Sequence, residues 1–382
     1  MDRDATHELE LSVVVPVRDG AAFLHQSLAA LRASDLAPQA WELIVVDDGS
    51  GDGSGTIAAR YADRVLRHLP PGHGPPSARN RGAAAARAPI IVFVDADVCV
   101  RRDALRRIRD TLAALPGVDA VFGTYDLAPA APGLVSQYRN LLHSYVHRRD
   151  AGRAITFWTG LGAVRRDTLE GCGGFDEGEL LDDIEFGYRM AARGHYIVLD
   201  PEIEGRHLKR WTLGSIVTTD VLYRGIPWVR LLLRGRHPAA GSTLSVRGVE
   251  RLLTTLMAAA LLLAGVGLVQ SDPRWLWASG AVLTGMLLVD QKLLRWLARE
   301  RGWRFALSAT PLRLLYFALN IVAVGMALLP FRWRRHGSTG PVIVSHDGSR
   351  GPASPAAKLE RGNETGLDRT LVRDPGPERQ PV

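Results

Sequence analysis

The stretch Ile90-Ile91-Val92-Phe93-Val94-Asp95-Ala96-Asp97 constrains the fold of this chain more than any other. A β-branched and aromatic run entered from Pro89 reads as a strand buried on both faces of a parallel sheet. Carboxylates beside such a strand must meet a cation, because an unpaired buried charge is costly. Ligands of open α/β sheets bind at the carboxyl ends of the strands, and there a metal carrying phosphates is the cation that fits. The hard oxygens of Asp95 and Asp97 suit Mg2+ or Mn2+. A plainer reading makes Asp97 the cap of a helix that starts near Arg102.

Strand and helix patterns alternate around this run. Leu11 to Val15, Trp41 to Val46 and Arg64 to His68 read as strands. Ala21 to Leu31, Thr56 to Ala62, Pro76 to Ala86 and Asp103 to Leu115 read as helices. The alternation predicts an α/β fold with a doubly wound, mostly parallel sheet. Arg18, Asp19, Asp47, Asp48, Asp95 and Asp97 then gather at the carboxyl ends of the strands, where a nucleotide would sit. Beyond Leu127 the pattern changes to a helix over Ser136 to Arg148 and a glycine-punctuated turn and strand over Phe157 to Ala163. A turn at Gly171 to Phe175 leads into an amphipathic helix from Leu181 to Arg193. The first turn of that helix carries Asp182, Asp183 and Glu185, which the macrodipole favours; charge matching is one reading and a catalytic role the other.

Composition divides the 382 residues unevenly. Residues 1–235 are expected to be the α/β domain, with interfacial helices from about residue 207, and 236–251 a basic linker. Residues 252–335 are expected to form a membrane region. There Leu252 to Val269 is long enough to cross a bilayer, Leu276 to Val289 follows a tight turn at Ser271 to Arg274, and Leu314 to Leu329 is a third candidate. Lys292 to Arg304 alternates cations with Leu and Trp, as an interfacial helix would, and Ser215 to Arg236 reads as apolar surface lying on the bilayer. Residues 336–382 read as a disordered tail. The net charge of +7 is concentrated in arginines around the apolar segments, which points to an anionic membrane surface and away from nucleic acid. With only Cys99 and Cys172 and no apolar leader, the α/β domain is expected in the cytoplasm, at the inner face of the cell membrane. The turn at Ser271 would then be external; a third full span would place Arg332, Arg334 and Arg335 outside as well, against the positive-inside tendency.

Val13-Val14-Val15-Pro16-Val17-Arg18, Val45-Val46-Asp47-Asp48-Gly49-Ser50, Ala78-Arg79-Asn80, Val94-Asp95-Ala96-Asp97, Gly173-Gly174-Phe175-Asp176 and Asp182-Asp183-Ile184-Glu185 occur in this order. In register, they make residues 10 to 215 resemble an inverting family-2 glycosyltransferase of GT-A fold. The resemblance implies that Pro16, Arg18 and Asp48 line the pocket for the base and ribose, with Asp48 accepting a hydrogen bond from the base. It implies that Arg79 faces the nucleotide end of the donor and that Asp95 and Asp97 form the metal motif for Mg2+ or Mn2+. Asp183 takes the place of the catalytic base, beside Asp182. Trp158, Thr159 and Gly160 would shape the sugar and acceptor pocket, and Arg210 and Trp211 loosely match an Arg-Trp motif that meets diphosphate and acceptor. The chain departs from the family at Arg18 and Asp19, where an aromatic residue or Asn is frequent, and at Asp182, where Glu is usual.

The implied reaction is transfer from a nucleotide-sugar to a lipid-linked or cell-envelope acceptor. A metal would stabilise the departing phosphate, and one carboxylate would take the acceptor proton. A nucleotidyltransferase would want a glycine-rich phosphate loop with Lys or Arg, and Val15 to Gly20 holds a single glycine. A membrane scaffold with a degenerate transferase domain would have lost metal or base residues, and a short-chain processive synthase would need more helices around a channel. One sugar, or very few, is therefore the expected product.

Overall fold

The structure, a computed structural model, describes residues 9–235 and 248–329. Its strands are β1 (Leu11–Val17), β2 (Trp41–Asp47), β3 (Arg64–Arg67), β4 (Ile90–Val94), β5 (Val98–Val100), β6 (Ala120–Tyr125), β7 (Gly152–Ala154), β8 (Leu161–Arg165) and β9 (Ile197–His207). They form one nine-stranded sheet in the order β3-β2-β1-β4-β8-β6-β9-β5, with β7 pairing the start of β9 on the same edge as β5. β3, β2, β1 and β4 run parallel; β8 is antiparallel to β4 and β6, and β6 is again parallel to β9.

Side chains alternate across the parallel half, as the twofold strand period demands. Val13, Val15, Val92 and Val94 face Leu24, Leu28 and Leu31 of α1 (Ala21–Arg32), on the face that α2 (Ser54–Ala58) flanks. Val14, Ile44, Val46, Ile91 and Phe93 face the opposite way, onto Ala78 and Ala83 of α3 (Pro75–Ala85). Leu105, Ile108 and Leu112 of α4 (Ala104–Ala114) join the first core. α5 (Leu134–Arg149), α6 (Arg166–Cys172) and α7 (Asp182–Ala192) complete the layers, with Phe186 and Met190 of α7 in the second core. The cap of α4 is Asp103, so Asp97 is not a helix cap.

β9 runs to His207, so the helices expected from there begin later, with α8 (Leu213–Thr218), a π-helical turn (Thr219–Gly225) and α9 (Ile226–Leu233). α10 (Gly248–Gln270), α11 (Pro273–Val289), α12 (Gln291–Arg301) and α13 (Trp303–Leu328) follow. Residues 248–251 of the expected linker are thus helical, while 236–247, the three arginines after Phe331 and the expected tail lie outside the described residues. α10 and α13 are long and apolar enough to cross a membrane; α11, with 17 residues, is shorter. α10 and α11 form the hairpin expected from the Ser271 turn, tied by Ser279 Oγ donating to the Ala260 carbonyl at 2.8 Å.

Part of the apolar surface of the two segments expected to lie on a bilayer is packed against protein. Leu293 and Leu297 of α12, with Ala306 and Ala309 of α13, pack on Tyr138, Leu141 and Leu142 of α5. Leu319, Ala323 and Ala327 of α13 pack on Ile216, Val221 and Ile226. Small residues on one face of α13 let it approach both parts of the α/β domain closely, and burial there releases apolar surface from water.

Candidate active site

The loops after β1, β2 and β4 converge because those strands are neighbours and parallel. At the end of β1, Pro16 is still paired in the sheet opposite Val46, and Arg18 follows the last strand residue, Val17. The Arg18 Nε and Nη1 atoms are buried without a hydrogen-bond partner, and the nearest acid oxygen, on Asp19, is 4.0 Å away. Asp48 is spent on its own loop. Its Oδ1 accepts from His73 N at 2.7 Å and lies 2.6 Å from His68 Nδ1, and its Oδ2 accepts from Gly74 N at 2.8 Å. Gly72, with φ of +81°, runs so close that a Cβ there would lie 2.2 Å from the Asp48 carbonyl. With 3 % of its surface exposed, Asp48 shapes the wall of this pocket more than it offers a free acceptor to a base.

Across the cleft, β4 delivers Asp95 and Asp97 into a tight turn in which Asp95 N donates to the Gly160 carbonyl at 3.2 Å and Leu208 N to the Asp97 carbonyl at 2.9 Å. α7 delivers Asp182 and Asp183 in its first turn; neither caps the helix, whose preceding residue is Leu181. Phe186 and Met190 anchor α7 to the sheet, while Leu181, Ile184 and Tyr188 pack on Trp228 and Leu231 of α9. The acid pair is therefore held from two sides.

Arg79, expected to face the donor, lies between these two groups. Its Nη1 donates to Asp182 Oδ2 at 2.6 Å and its Nη2 to Asp95 Oδ1 at 3.2 Å. Burial opposes its charge, and Asp182, Asp95 and Asp183 outweigh that, holding the guanidinium protonated. Burial also raises the Asp182 carboxyl, which Arg79 pulls back toward ionisation. Asp183 makes no ion pair with Arg79: desolvation, then the charge of Asp182, push it up to about 6. Two carboxyls side by side are thereby made different, one bonded to a guanidinium and the other, without that bond, poised to exchange a proton near neutrality.

On the third side Thr159 and Gly160 are buried at the turn into β8, and Trp158 packs within an aromatic group of Tyr125, His143 and His147. Tyr125 stacks on His207 with centroids 4.4 Å apart, and His207 Nε2 lies 3.4 Å from Asp97 Oδ2. Burial pushes His143 well below its ordinary pKa and His147 down to about 4, so both are neutral. Trp211 is fixed by its backbone N–H donating to Ser136 Oγ at 2.8 Å, and Arg210 is exposed without an ion pair among the described residues. Tyr125, His143 and Arg139 are absent from the sequence-based set because β6 and α5, which bring them here, carry none of the motifs; His207, which borders the Arg-Trp motif, was within its reach.

The donor set around Asp95 and Asp97 fits a hard divalent ion. Asp95 is raised by burial and, once Arg79 is allowed for, by the like charge of Asp97, a juxtaposition that a cation relieves. Among the described residues no cluster of three His, Cys, Asp or Glu side chains could hold a metal by itself. An ion there would be bound by one or two carboxylates, with phosphate oxygens and water completing its shell.

The pattern of Glycosyl transferase family 2 matches residues 12–172, from β1 through α6. Validoxylamine A glucosyltransferase of Streptomyces hygroscopicus subsp. limoneus is 29 % identical over 223 residues, covering 50 % of this chain and 49 % of its own length. Glycosyltransferase AglE of Haloferax volcanii is 25 % identical over 210 residues, covering 52 % of this chain and 67 % of its own. The chain spans about half the length of the first curated relatives it matches. The mannosyltransferase PcManGT from Pyrobaculum calidifontis, solved with GDP-Man and Mn2+, aligns with a TM-score of 0.51 at 20 % identity, covering 84 % of this chain and 88 % of that one, and so shares the fold. With its parallel half-sheet and its Asp-x-Asp turn, the segment 12–172 carries the glycosyl transferase family 2 pattern, and the acid pair follows it in the chain.

Proposed function

We propose that this chain transfers one sugar, with inversion, from a nucleoside diphosphate sugar to an acceptor held at a membrane. The observation that carries this reading is the single buried guanidinium of Arg79 touching both Asp182 and Asp95. It sets the acid pair and the Asp-x-Asp turn one side chain apart, so that a sugar carbon between them faces a base on one side and a leaving phosphate on the other. The acceptor oxygen bonds to the anomeric carbon as the bond to the diphosphate breaks, and the acceptor proton goes to the Asp183 carboxylate. Arg79 bonds to Asp182, favouring its ionised form, and orients Asp95. Asp95 and Asp97 would hold Mg2+ or Mn2+, which when bound stabilises charge on the departing diphosphate. The pocket of Pro16, Arg18 and the Asp48 loop takes the nucleoside; Trp158, Thr159, Gly160, Asp182, Arg210 and Trp211 border the acceptor.

The membrane part of the reading is supported by α10 and α13, by the arginines that flank them, and by two cysteines that are free thiols in the fold. It places the α/β domain on the cytoplasmic side, next to a lipid-linked or envelope acceptor. The direct test supplies membranes containing the protein with a panel of radiolabelled nucleotide-sugars. Label should enter the lipid extract from one of them as a single-sugar adduct. Label in no fraction from any donor, or a ladder of long saccharides, would overturn the corresponding part of the proposal.

A further inference from the structure

Length and hydropathy alone would let α13 cross a bilayer, but its contacts hold it elsewhere. Ala306 and Ala309 pack on α5, and Ala323 and Ala327 pack on the segment from α8 to α9. Helical rise puts about 32 Å between Ala306 and Ala327, which is roughly the thickness of a hydrocarbon core. A crossing helix would carry the second of these contacts through the membrane, and its partner segment is too polar for that. Asp220 there accepts from Arg139 Nη1 at 3.0 Å, Arg234 Nη1 donates to Glu179 Oε1 at 2.6 Å, and Arg224 is exposed. Gly225, next to Arg224, lies so near α13 that a Cβ there would come within 2.5 Å of the Ala323 Cβ. Charged side chains are costly in hydrocarbon, so this end of α13 stays level with the α/β domain. The hairpin of α10 and α11 gives the same level. Its two ends are pinned by ion pairs, Glu250 Oε1 accepting from Arg149 Nη1 at 3.4 Å and Asp290 Oδ2 from Arg313 Nε at 2.6 Å. Arg313 and Phe317 lie near the middle of α13, and Phe317 packs with Leu253, Met257 and Met286, the hairpin residues next to those ends. A third span running beside α10 would also cover its distal half, where Leu262, Leu268 and Val269 are exposed.

We infer that α13 does not cross the membrane. It lies across the base of the crossing hairpin, one face on the α/β domain. The other face, bearing Leu307, Val322, Met326 and Leu328, rests in the boundary between headgroups and acyl chains of the adjacent leaflet. The inference rests on the membrane part of the proposal above, and it leaves two crossings among the described residues. Arg332, Arg334 and Arg335 then return to the side of Arg301 and Arg304, in keeping with the positive-inside tendency. The bilayer also gains a hold on the chemistry. Ile226 of α9 meets α13, while Trp228 and Leu231 of α9 pack against α7, which carries Asp183.

The test treats intact and permeabilised cells expressing the full chain with an impermeant maleimide. Native Cys99 in the wild type marks the side of the α/β domain, Cys172 being buried. In a Cys99→Ser background, Ser271→Cys marks the tip of the hairpin and Ser338→Cys the chain that follows α13. Ser338→Cys should label on the side of Cys99, and Ser271→Cys on the opposite side. If Ser338→Cys and Ser271→Cys both label opposite Cys99, α13 crosses and the inference is overturned. If Ser271→Cys labels on the side of Cys99, the crossing hairpin is refuted. The surface position of α13 then stands where Ser338→Cys shares that side, and falls where it does not.

Discussion

The environment of Asp183 turns an ordinary carboxyl into a base that works near neutrality. Because its pKa is raised to about 6, the group is protonated below that pH and cannot accept the acceptor proton. kcat/KM should therefore fall about tenfold for each pH unit below 6 and level off above it. Asp183→Asn keeps the shape and removes the acceptor of the proton, so transfer should drop by about 10²- to 10⁴-fold with nucleotide binding retained. A wild-type profile that is flat through pH 6, or an Asn variant of near-normal rate, would return the acid pair to simple helix-dipole matching. Asp97, partly exposed at the rim, can be changed to Ala without opening a cavity. Nucleoside diphosphate binding that Mn2+ strengthens in the wild type should lose that dependence in Asp97→Ala, as it should with EDTA; metal-dependent binding that survives in the variant would remove Asp97 from the metal site. At this scale the acids were legible because each pair is local in sequence, whereas Arg79 and Asp182, 103 residues apart, meet only through the fold.

Elements were legible wherever their apolar pattern ran unbroken. β1, β2 and β4 are nearly wholly buried and show as continuous apolar runs, and α7 shows as an amphipathic period. β9 buries Ile197, Leu199, Ile203, Gly205 and His207, but Asp200-Pro201-Glu202 interrupts the alternation and hides the strand. Its consequence is large, because β9 carries His207 and Lys209 to the site. α7 also shows how an element transmits shape to chemistry. Gly187 lies one turn after Asp183, and a Cβ there would come within 2.3 Å of Phe157 N and 2.5 Å of the Thr156 carbonyl carbon. Backbone cannot yield as a flexible side chain can, so Gly187→Ala should push α7 outward at a cost of about 1–3 kcal/mol. A shift of about 1 Å at a base costs on the order of 10²-fold in rate. Purified Gly187→Ala should keep its circular dichroism spectrum and nucleotide binding, melt earlier and turn over about 100-fold more slowly. A variant that melts earlier but turns over normally would show that the position of α7 is not what limits the chemistry.

At the scale of the whole molecule the apolar segments are not equivalent, a distinction their hydropathy could not make. α13 is held along the α/β domain near both its ends, through Ala306 and Ala309 and again through Ala323 and Ala327. The α10–α11 hairpin presents Leu262, Leu268, Val269 and Trp277 outward, each more than two-thirds exposed. Contiguous exposed apolar surface of this kind needs a covering partner. A lipid bilayer suits its dimensions, since the 23 residues of α10 extend about 35 Å at 1.5 Å per residue. The tip, with Asp272 bonded to Arg274, is polar and flanked by Trp275 and Trp277, as a chain emerging at the far interface would be. If the hairpin crosses and the α/β domain is cytoplasmic, a cysteine at the tip faces outward while the native thiols do not. In intact cells an impermeant thiol reagent should label Ser271→Cys and leave the wild type unlabelled, and partly exposed Cys99 should react only after permeabilisation. Protection of Ser271→Cys in intact cells would sink the crossing hairpin. Labelling of wild-type Cys99 there would place the whole catalytic layer on the other side of the membrane.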